Sequence, residues 1–142
     1  MTLDVKITKS DENESKYIRK KLIEYNNEHV SDDLKSIYEE VNLTVKDEAG
    51  KVIAGLLSVV CWNWLEVDIL WVDKDCRGMG LGAQLLSEVE DIAKQKGCTF
   101  IQLNTFSFQA PDFYVKQGYK EIAVIDGAPR GFKHYYFKKD LV

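Results

Sequence analysis

The stretch Arg77-Gly78-Met79-Gly80-Leu81-Gly82 joins two segments whose apolar residues recur with different periods. Before it, Trp64 to Val72 is apolar enough for a strand, with Glu66 and Asp68 predicted on one face and Val67, Ile69 and Trp71 on the other. After it, apolar residues recur at helical spacing until Gly97: Leu81, Leu85, Val89, Ile92 and Ala93. The sequence therefore predicts a strand, a glycine-rich turn and a helix in succession.

This turn has the chemistry of a phosphate cradle. The first amides of a helix have no partner within the helix, and the helix dipole makes that end mildly positive. Glycines let an anion approach the backbone closely, and Arg77 adds a positive side chain. The turn is therefore predicted to bind a phosphate or pyrophosphate.

Two better-known phosphate motifs do not fit. Gly78-x-Gly80-x-x-Ala83 matches a loose dinucleotide fingerprint, but it does not open a first βαβ unit. The strand after the helix ends in Asn104-Thr105 rather than in an acidic residue that could bind a ribose. A P-loop is excluded because no Gly-Lys-Ser/Thr closes the turn.

Periodicity outward from the turn predicts a mixed α/β fold with the order β-α-α-β-β-β-α-β-α-β-β. The upstream elements are a strand Leu3–Thr8, a helix from Ser10-Asp11 to about His29, a short helix capped by Ser31–Asp33 and carrying Leu34, Ile37 and Tyr38, and strands Val41–Lys46 and Lys51–Cys61. The downstream elements are strands Thr99–Asn104, Tyr119–Ile125 and Phe132–Phe137, and a helix Pro111–Gln117. The helical crossovers favour parallel strands and the hairpins antiparallel ones.

Composition narrows the class of protein. The 142 residues suit one domain, 1–142, with 45% hydrophobic and 30% charged residues. A net charge of -4 without a basic face argues against nucleic acid as a partner. Three cysteines without CxxC and two histidines predict no metal. Because residues 1–6 lack an apolar run and Val52–Cys61 is too short to span a bilayer, we expect a cytoplasmic protein without a membrane partner.

Two motifs together resemble the GNAT acetyltransferase superfamily. Arg77, Gly80 and Gly82 match its Arg/Gln-x-x-Gly-x-Gly/Ala signature, and Ala110-Pro111-Asp112-Phe113-Tyr114-Val115-Lys116-Gln117-Gly118-Tyr119 resembles its A-x-x-F-Y-x-x-x-G-F/Y segment. The resemblance covers nearly the whole chain. It implies the acyl-CoA N-acyltransferase fold: a single-domain, mixed, mostly antiparallel sheet splayed in the middle, with helices on both faces and coenzyme A in the opening.

The resemblance also implies residue roles. Acetyl-CoA would be the cosubstrate, with an amide near Leu70 as oxyanion donor and Tyr114 as the acid that protonates the thiolate. The alternative for Tyr114 is a packed aromatic. The residues implied to bind the cosubstrate are Leu70, Trp71, Val72, Arg77, Gly78, Met79, Gly80, Leu81, Gly82, Asn104 and Tyr114.

Glu66 and Asp68 are the candidates for the base that neutralises the amine, since both project from the strand that would carry the thioester. Solvated carboxylates, a wall that only attracts cations, or a water relay remain alternatives. The predicted acceptor-binding residues are Tyr25, His29, Trp64 and Phe106. Aromatic rings beside acids suit an ammonium group, although such rings can equally be core.

These features predict an N-acetyltransferase that moves an acetyl group from acetyl-CoA to a primary amine of a small molecule by direct attack in a ternary complex. A non-catalytic acyl-CoA sensor and a protein or peptide N-acetyltransferase are the alternatives. The partners expected are acetyl-CoA, a small amine acceptor and a second copy in a homodimer.

Overall fold

The computed structural model describes residues 2–142 and divides into two compact units, one up to Ser36 and the other Ile37–Val142. The elements in chain order are α1 Glu12–Asn27, β1 Tyr38–Lys46, β2 Val52–Cys61, β3 Trp64–Val72, a short 3-10 turn Lys74–Cys76, α2 Leu81–Gln95, β4 Phe100–Phe106, α3 Pro111–Lys116, β5 Lys120–Asp126 and β6 Lys133–Asp140. The predicted mixed α/β class is confirmed. Among the described residues, no helix is both long and apolar enough to cross a membrane.

The first unit is built on α1. Asp11 caps the helix, since its side chain accepts from the Glu14 amide at 2.7 Å and the Glu14 side chain accepts from the Asp11 amide at 2.9 Å. The predicted helix from Ser10-Asp11 to about His29 is therefore confirmed.

Two predicted elements of the first unit are wrong. Leu3–Thr8 is not a strand, and Leu3, Val5 and Ile7 are exposed, because alternating apolar residues make a strand only where a neighbouring strand pairs with them. The second helix is a series of turns ended by Ser36, whose φ is +61°, and Tyr38 belongs to β1 instead.

The second unit contains one six-stranded sheet in the order β1-β2-β3-β4-β6-β5. Only β3 and β4, joined through α2, pair in parallel, as predicted. The second helical crossover leads from β4 to β5, but β6 lies between them and pairs antiparallel with both. The sheet is thus mostly antiparallel, as predicted.

The sheet splays in its middle. Pairing between β3 and β4 begins at Trp64 opposite Phe100 and stops at Val67 opposite Leu103, although both strands continue. Beyond this point the facing backbone groups of β3 and β4 are not paired with each other. Backbone N–H and C=O groups need partners, so the opening is a place where a ligand with amide groups can bind.

One face of the sheet forms the core with α2 and α3. Leu85, Leu86, Val89 and Ala93 of α2 are buried with apolar side chains from β2, β3 and β4. Tyr114 of α3 belongs to the same core. The apolar residues that recur at helical spacing thus form the buried face of α2. Their packing places the start of the helix beside the open end of β3.

Candidate active site

A cleft of about 770 Å³ occupies the opening between β3 and β4. It is lined by the end of β3, the glycine turn with the start of α2, the end of β4 and α3. Its lining residues are Val67–Val72, Cys76–Gly78, Gly80–Ala83, Leu103–Thr105, Phe108–Ala110, Phe113 and Tyr114. Every predicted cosubstrate residue except Met79 is among them; the Met79 side chain is 63% exposed.

The glycine turn has the geometry of an anion cradle. Gly78 and Gly80 have φ of +81° and +79°, and a Cβ at either position would meet no atom within 4 Å. Gly80 is the N-cap of α2 and makes no side-chain cap, so the first amides of this 15-residue helix are available to a ligand. Arg77 Nε donates to the Val72 carbonyl at 3.2 Å, which anchors the side chain beside the end of β3.

Gly82 brings α3 against the start of α2. A Cβ there would lie 3.2 Å from Cζ of Phe113, a contact tighter than ordinary packing. The glycine therefore allows the Phe113 ring to pack directly on the helix. Since Tyr114 follows Phe113, this contact also holds Tyr114 at the wall of the cleft.

Tyr114 is suited to remain protonated in the cleft. Its side chain is 8% exposed, and its ring packs against those of Phe113, Tyr119 and Phe137. Burial raises the pKa of Tyr114 to about 12, because the phenolate would lose its hydration. At neutral pH the phenol is therefore a hydrogen-bond donor and a potential acid.

The buried tyrosines predict a loss of stability at high pH. Burial also raises the pKa of Tyr119, whose hydroxyl has no hydrogen-bond partner among the described residues. Each phenol keeps its proton in the folded state above pH ~10, where the unfolded chain releases it. The contribution of the two buried phenols to the free energy of unfolding is therefore fully present below pH ~10. Above that pH the free energy of unfolding should fall, by up to about 1.4 kcal/mol per pH unit for each tyrosine.

Urea unfolding between pH 9 and 11 measures this effect. We expect a shallower fall for Tyr114→Phe and a still shallower one for the double variant Tyr114→Phe/Tyr119→Phe. Equal slopes in the wild type and the double variant would contradict the assignment.

A β-bulge at Asp68 changes which side chains of β3 face the core. Val67 pairs with Ser58 and Ile69 with Leu57, so Asp68 is the extra residue. Leu65 and Val67 face the core before the bulge, whereas Leu70 and Val72 do so after it. The prediction that Ile69 and Trp71 share the face of Val67 is therefore wrong, and both are about half exposed.

A second cavity, of about 360 Å³, lies on the sheet face opposite the core. Glu66, Asp68 and Asn104 line it, and Val67, Asp68 and Asn104 also line the larger cleft. The two predicted acids thus lie together beside the cleft. Sequence reasoning missed three polar residues of β1 that line the same cavity: Tyr38, Glu40 and Asn42.

The predicted acceptor residues belong to three elements of the chain: the end of α1, β3 and β4. Tyr25 and His29 are neighbours at the end of α1, with ring centroids 4.4 Å apart. Trp64 stacks on Phe100 at the paired end of β3 and lines neither cavity. Phe106 ends β4, stacks on Phe108 and also lines neither, whereas Phe108 lines the cleft. An acceptor role for these four residues stays a prediction.

His134 is a further residue that sequence reasoning missed. Its Nε2 lies 2.9 Å from Oδ1 of Asn104. The strand period places His134, Tyr136 and Lys138 on one face of β6. That signal was visible in the sequence, but the pairing of β6 with β4 was not.

The model of the acetyltransferase (GNAT) family matches residues 9–119. The chain belongs to the GNAT acetyltransferase family. It is 42% identical to the blasticidin-S acetyltransferase of Streptomyces morookaense over 95 residues, 66% of this chain and 70% of that one. It is 43% identical to an acetyltransferase structure from Bacillus cereus, with a TM-score of 0.90 over 96% of this chain and 97% of that one.

A more distant solved structure shows the fold alone. It comes from Bacillus anthracis, is described as a candidate streptothricin acetyltransferase and was solved with acetyl coenzyme A. It is 20% identical, with a TM-score of 0.63 over 71% of this chain and 62% of that one. The expected acyl-CoA N-acyltransferase fold is thereby confirmed, and this GNAT chain is an acyltransferase.

Proposed function

We propose that this GNAT domain, residues 1–142, transfers an acetyl group from acetyl-CoA to a primary amine of a small molecule by direct attack in a ternary complex. The observation that carries the proposal is a pair of adjoining cavities. One has a phosphate cradle at its end, the other has carboxylates, and they share Val67, Asp68 and Asn104. Acetyl-CoA would extend along the first, and the amine would enter from the second.

The cleft fits coenzyme A on three counts. The free amides at Gly80–Gly82 and the Arg77 guanidinium suit a pyrophosphate. The separated edges of β3 and β4 offer backbone groups to the amides of pantetheine. A backbone amide near Leu70 can donate to a thioester oxygen, and such donors contribute roughly 10²–10³ in rate.

Tyr114 supplies the acid. The transfer forms an amide bond and breaks the bond to sulfur, so the departing thiolate needs a proton or a hydrogen bond. Tyr114 lines the cleft and carries its proton at neutral pH, since its pKa is raised to about 12. This fits the role expected from the family resemblance.

The acceptor side favours a cationic amine. Glu40, Glu66 and Asp68 line the second cavity with Tyr38 and Asn42, so an ammonium group would meet carboxylates and hydrogen-bond acceptors. A relative 42% identical is named for blasticidin-S. Blasticidin S is therefore among the first acceptor candidates.

Glu66 is the first candidate for the base. For Glu66→Gln we expect kcat/KM for the amine to fall about 10-fold at pH 7, below the usual ~10²–10⁴ because Asp68 can relay the proton. The loss should shrink as pH rises and the amine loses its own proton. Glu40→Gln is the matched control for the loss of one negative charge, since it removes a carboxylate of the same cavity on another strand. Equal rates for Glu66→Gln and wild type across the pH series would contradict the role.

Thiol release from acetyl-CoA, measured across a panel of amines that includes blasticidin S, tests the proposed function. Thermal unfolding with coenzyme A comes first, because a ligand at ~100 times its Kd stabilises the folded state by about 2.7 kcal/mol. No shift at millimolar coenzyme A would overturn the proposal. Binding without turnover on any amine would favour an acyl-CoA sensor instead, and turnover on peptides alone would favour a protein acetyltransferase.

We also propose that the enzyme acts in the cytoplasm as a homodimer, without a nucleic-acid partner. The net charge of -4 supports the last point. Gel filtration tests the dimer.

A further inference from the structure

Asn104 lies where the two cavities meet. It is the first residue of β4 beyond the last pair with β3, and it lines both the cleft and the second cavity. A ligand in the splayed opening therefore passes its side chain. An asparagine amide can donate through Nδ2 or accept through Oδ1, so its orientation decides which group the ligand meets.

His134 determines that orientation. The Asn104 oxygen carries no proton, so Nε2 of His134 is the donor in their 2.9 Å hydrogen bond. Asn104 makes no other side-chain hydrogen bond among residues 2–142. With Oδ1 occupied by the imidazole, the NH₂ group of Asn104 is left for a ligand.

The imidazole is held in place by aromatic rings on the same sheet face. Phe106, which pairs directly with His134 across β4 and β6, stacks on it with centroids 4.4 Å apart. Tyr136 also packs against it, with centroids 4.6 Å apart. Phe106 in turn stacks on Phe108, a residue of the cleft wall. These contacts restrict rotation of the imidazole, so its hydrogen bond to Asn104 is preorganised.

We propose that His134 is a positioning residue that holds the Asn104 amide so that its NH₂ group donates to a carbonyl oxygen of the pantetheine arm of coenzyme A. The inference rests on the proposed function, because it takes the cleft to be the coenzyme A site. It assigns a role to β6, a strand that supplies no lining residue to either cavity. It also accounts for Phe106, which acts on the site through His134.

The test is a double-mutant cycle in which calorimetry measures the Kd of coenzyme A for each variant. His134→Phe keeps an aromatic ring but removes the donor, and Asn104→Ala removes the amide. One net hydrogen bond corresponds to about 2- to 12-fold in Kd. We expect each single variant to weaken binding within that range, and the double variant to bind no more weakly than Asn104→Ala.

Two further variants separate positioning from packing. His134→Gln offers an N–H close to the place of Nε2 and should restore the Kd to within about 2-fold of the wild type. Asn104→Asp keeps an acceptor for His134 but has no NH₂ group, so it should bind as weakly as Asn104→Ala. It also keeps the inference testable if His134→Phe does not fold. Where turnover is measured, His134→Phe should raise KM for acetyl-CoA more than it lowers kcat.

The outcomes distinguish the two proposals. Wild-type protein that does not bind coenzyme A would overturn the proposed function and this inference with it. If the wild type binds coenzyme A and His134→Phe leaves the Kd unchanged, this inference alone is overturned. The same holds if His134→Phe weakens binding equally in the presence and in the absence of the Asn104 side chain. Normal binding by Asn104→Asp would do the same.

Discussion

Replacing Gly80 with valine should weaken the binding of coenzyme A by on the order of 100-fold. Gly80 has φ of +79°, a conformation that a β-branched residue adopts only with strain, so the turn must rearrange. Rearrangement turns the first amides of α2 away from the cleft. Losing two hydrogen bonds to a charged phosphate, at about 1.5 kcal/mol each, corresponds to a factor of this size. Calorimetric titration with coenzyme A measures it.

Gly97→Val is the matched control. Gly97 has φ of +81°, and a Cβ there would also meet no atom within 4 Å, so the backbone strain is the same. It lies just beyond the far end of α2, a helix about 22 Å long, and does not line the cleft. We expect a similar loss of stability but a Kd for coenzyme A close to the wild-type value. Equal binding by Gly80→Val and Gly97→Val would show that the turn does not hold the phosphates.

Replacing Tyr114 with phenylalanine should lower kcat on the order of 100-fold or more while leaving the Kd of coenzyme A nearly unchanged. The substitution removes one hydroxyl from a ring that stays packed against Phe113 and Phe137. Proton transfer by a positioned acid is typically worth ~10²–10⁴ in rate. Thiol release at saturating acetyl-CoA and amine measures the change.

Tyr119→Phe is the control for this variant. Tyr119 is also buried, at 2% exposure, and its ring centroid lies 6.0 Å from that of Tyr114, but it does not line the cleft. Its hydroxyl has no partner among the described residues, so its removal should leave kcat unchanged and stability equal or higher. A Tyr114→Phe enzyme with wild-type kcat would assign the tyrosine to packing alone.

The glycine turn and its two flanking elements could be predicted from local sequence. A strand, glycines and an amphipathic helix specify their conformations within a few residues, and so does the capping box of α1. The predicted bounds of α2, β2 and β3 accordingly match the structure closely.

The errors arose where a pattern needed a distant partner. The alternation of Leu3, Val5 and Ile7 is that of a strand, but a strand requires a neighbour that local sequence does not identify. The bulge at Asp68 depends on how β3 pairs with β2, and it moved Ile69 and Trp71 to the other face.

The sequence by itself determined the phosphate cradle, because an anion site made of backbone amides needs only a turn and the helix that follows it. It also determined the family, through two motifs on the turn and on α3. Only the tertiary structure decided where β3 and β4 separate, and that Glu40 joins Glu66 and Asp68 around one cavity. It alone brought His134 to Asn104, since the register between β6 and β4 is set by packing of the whole sheet.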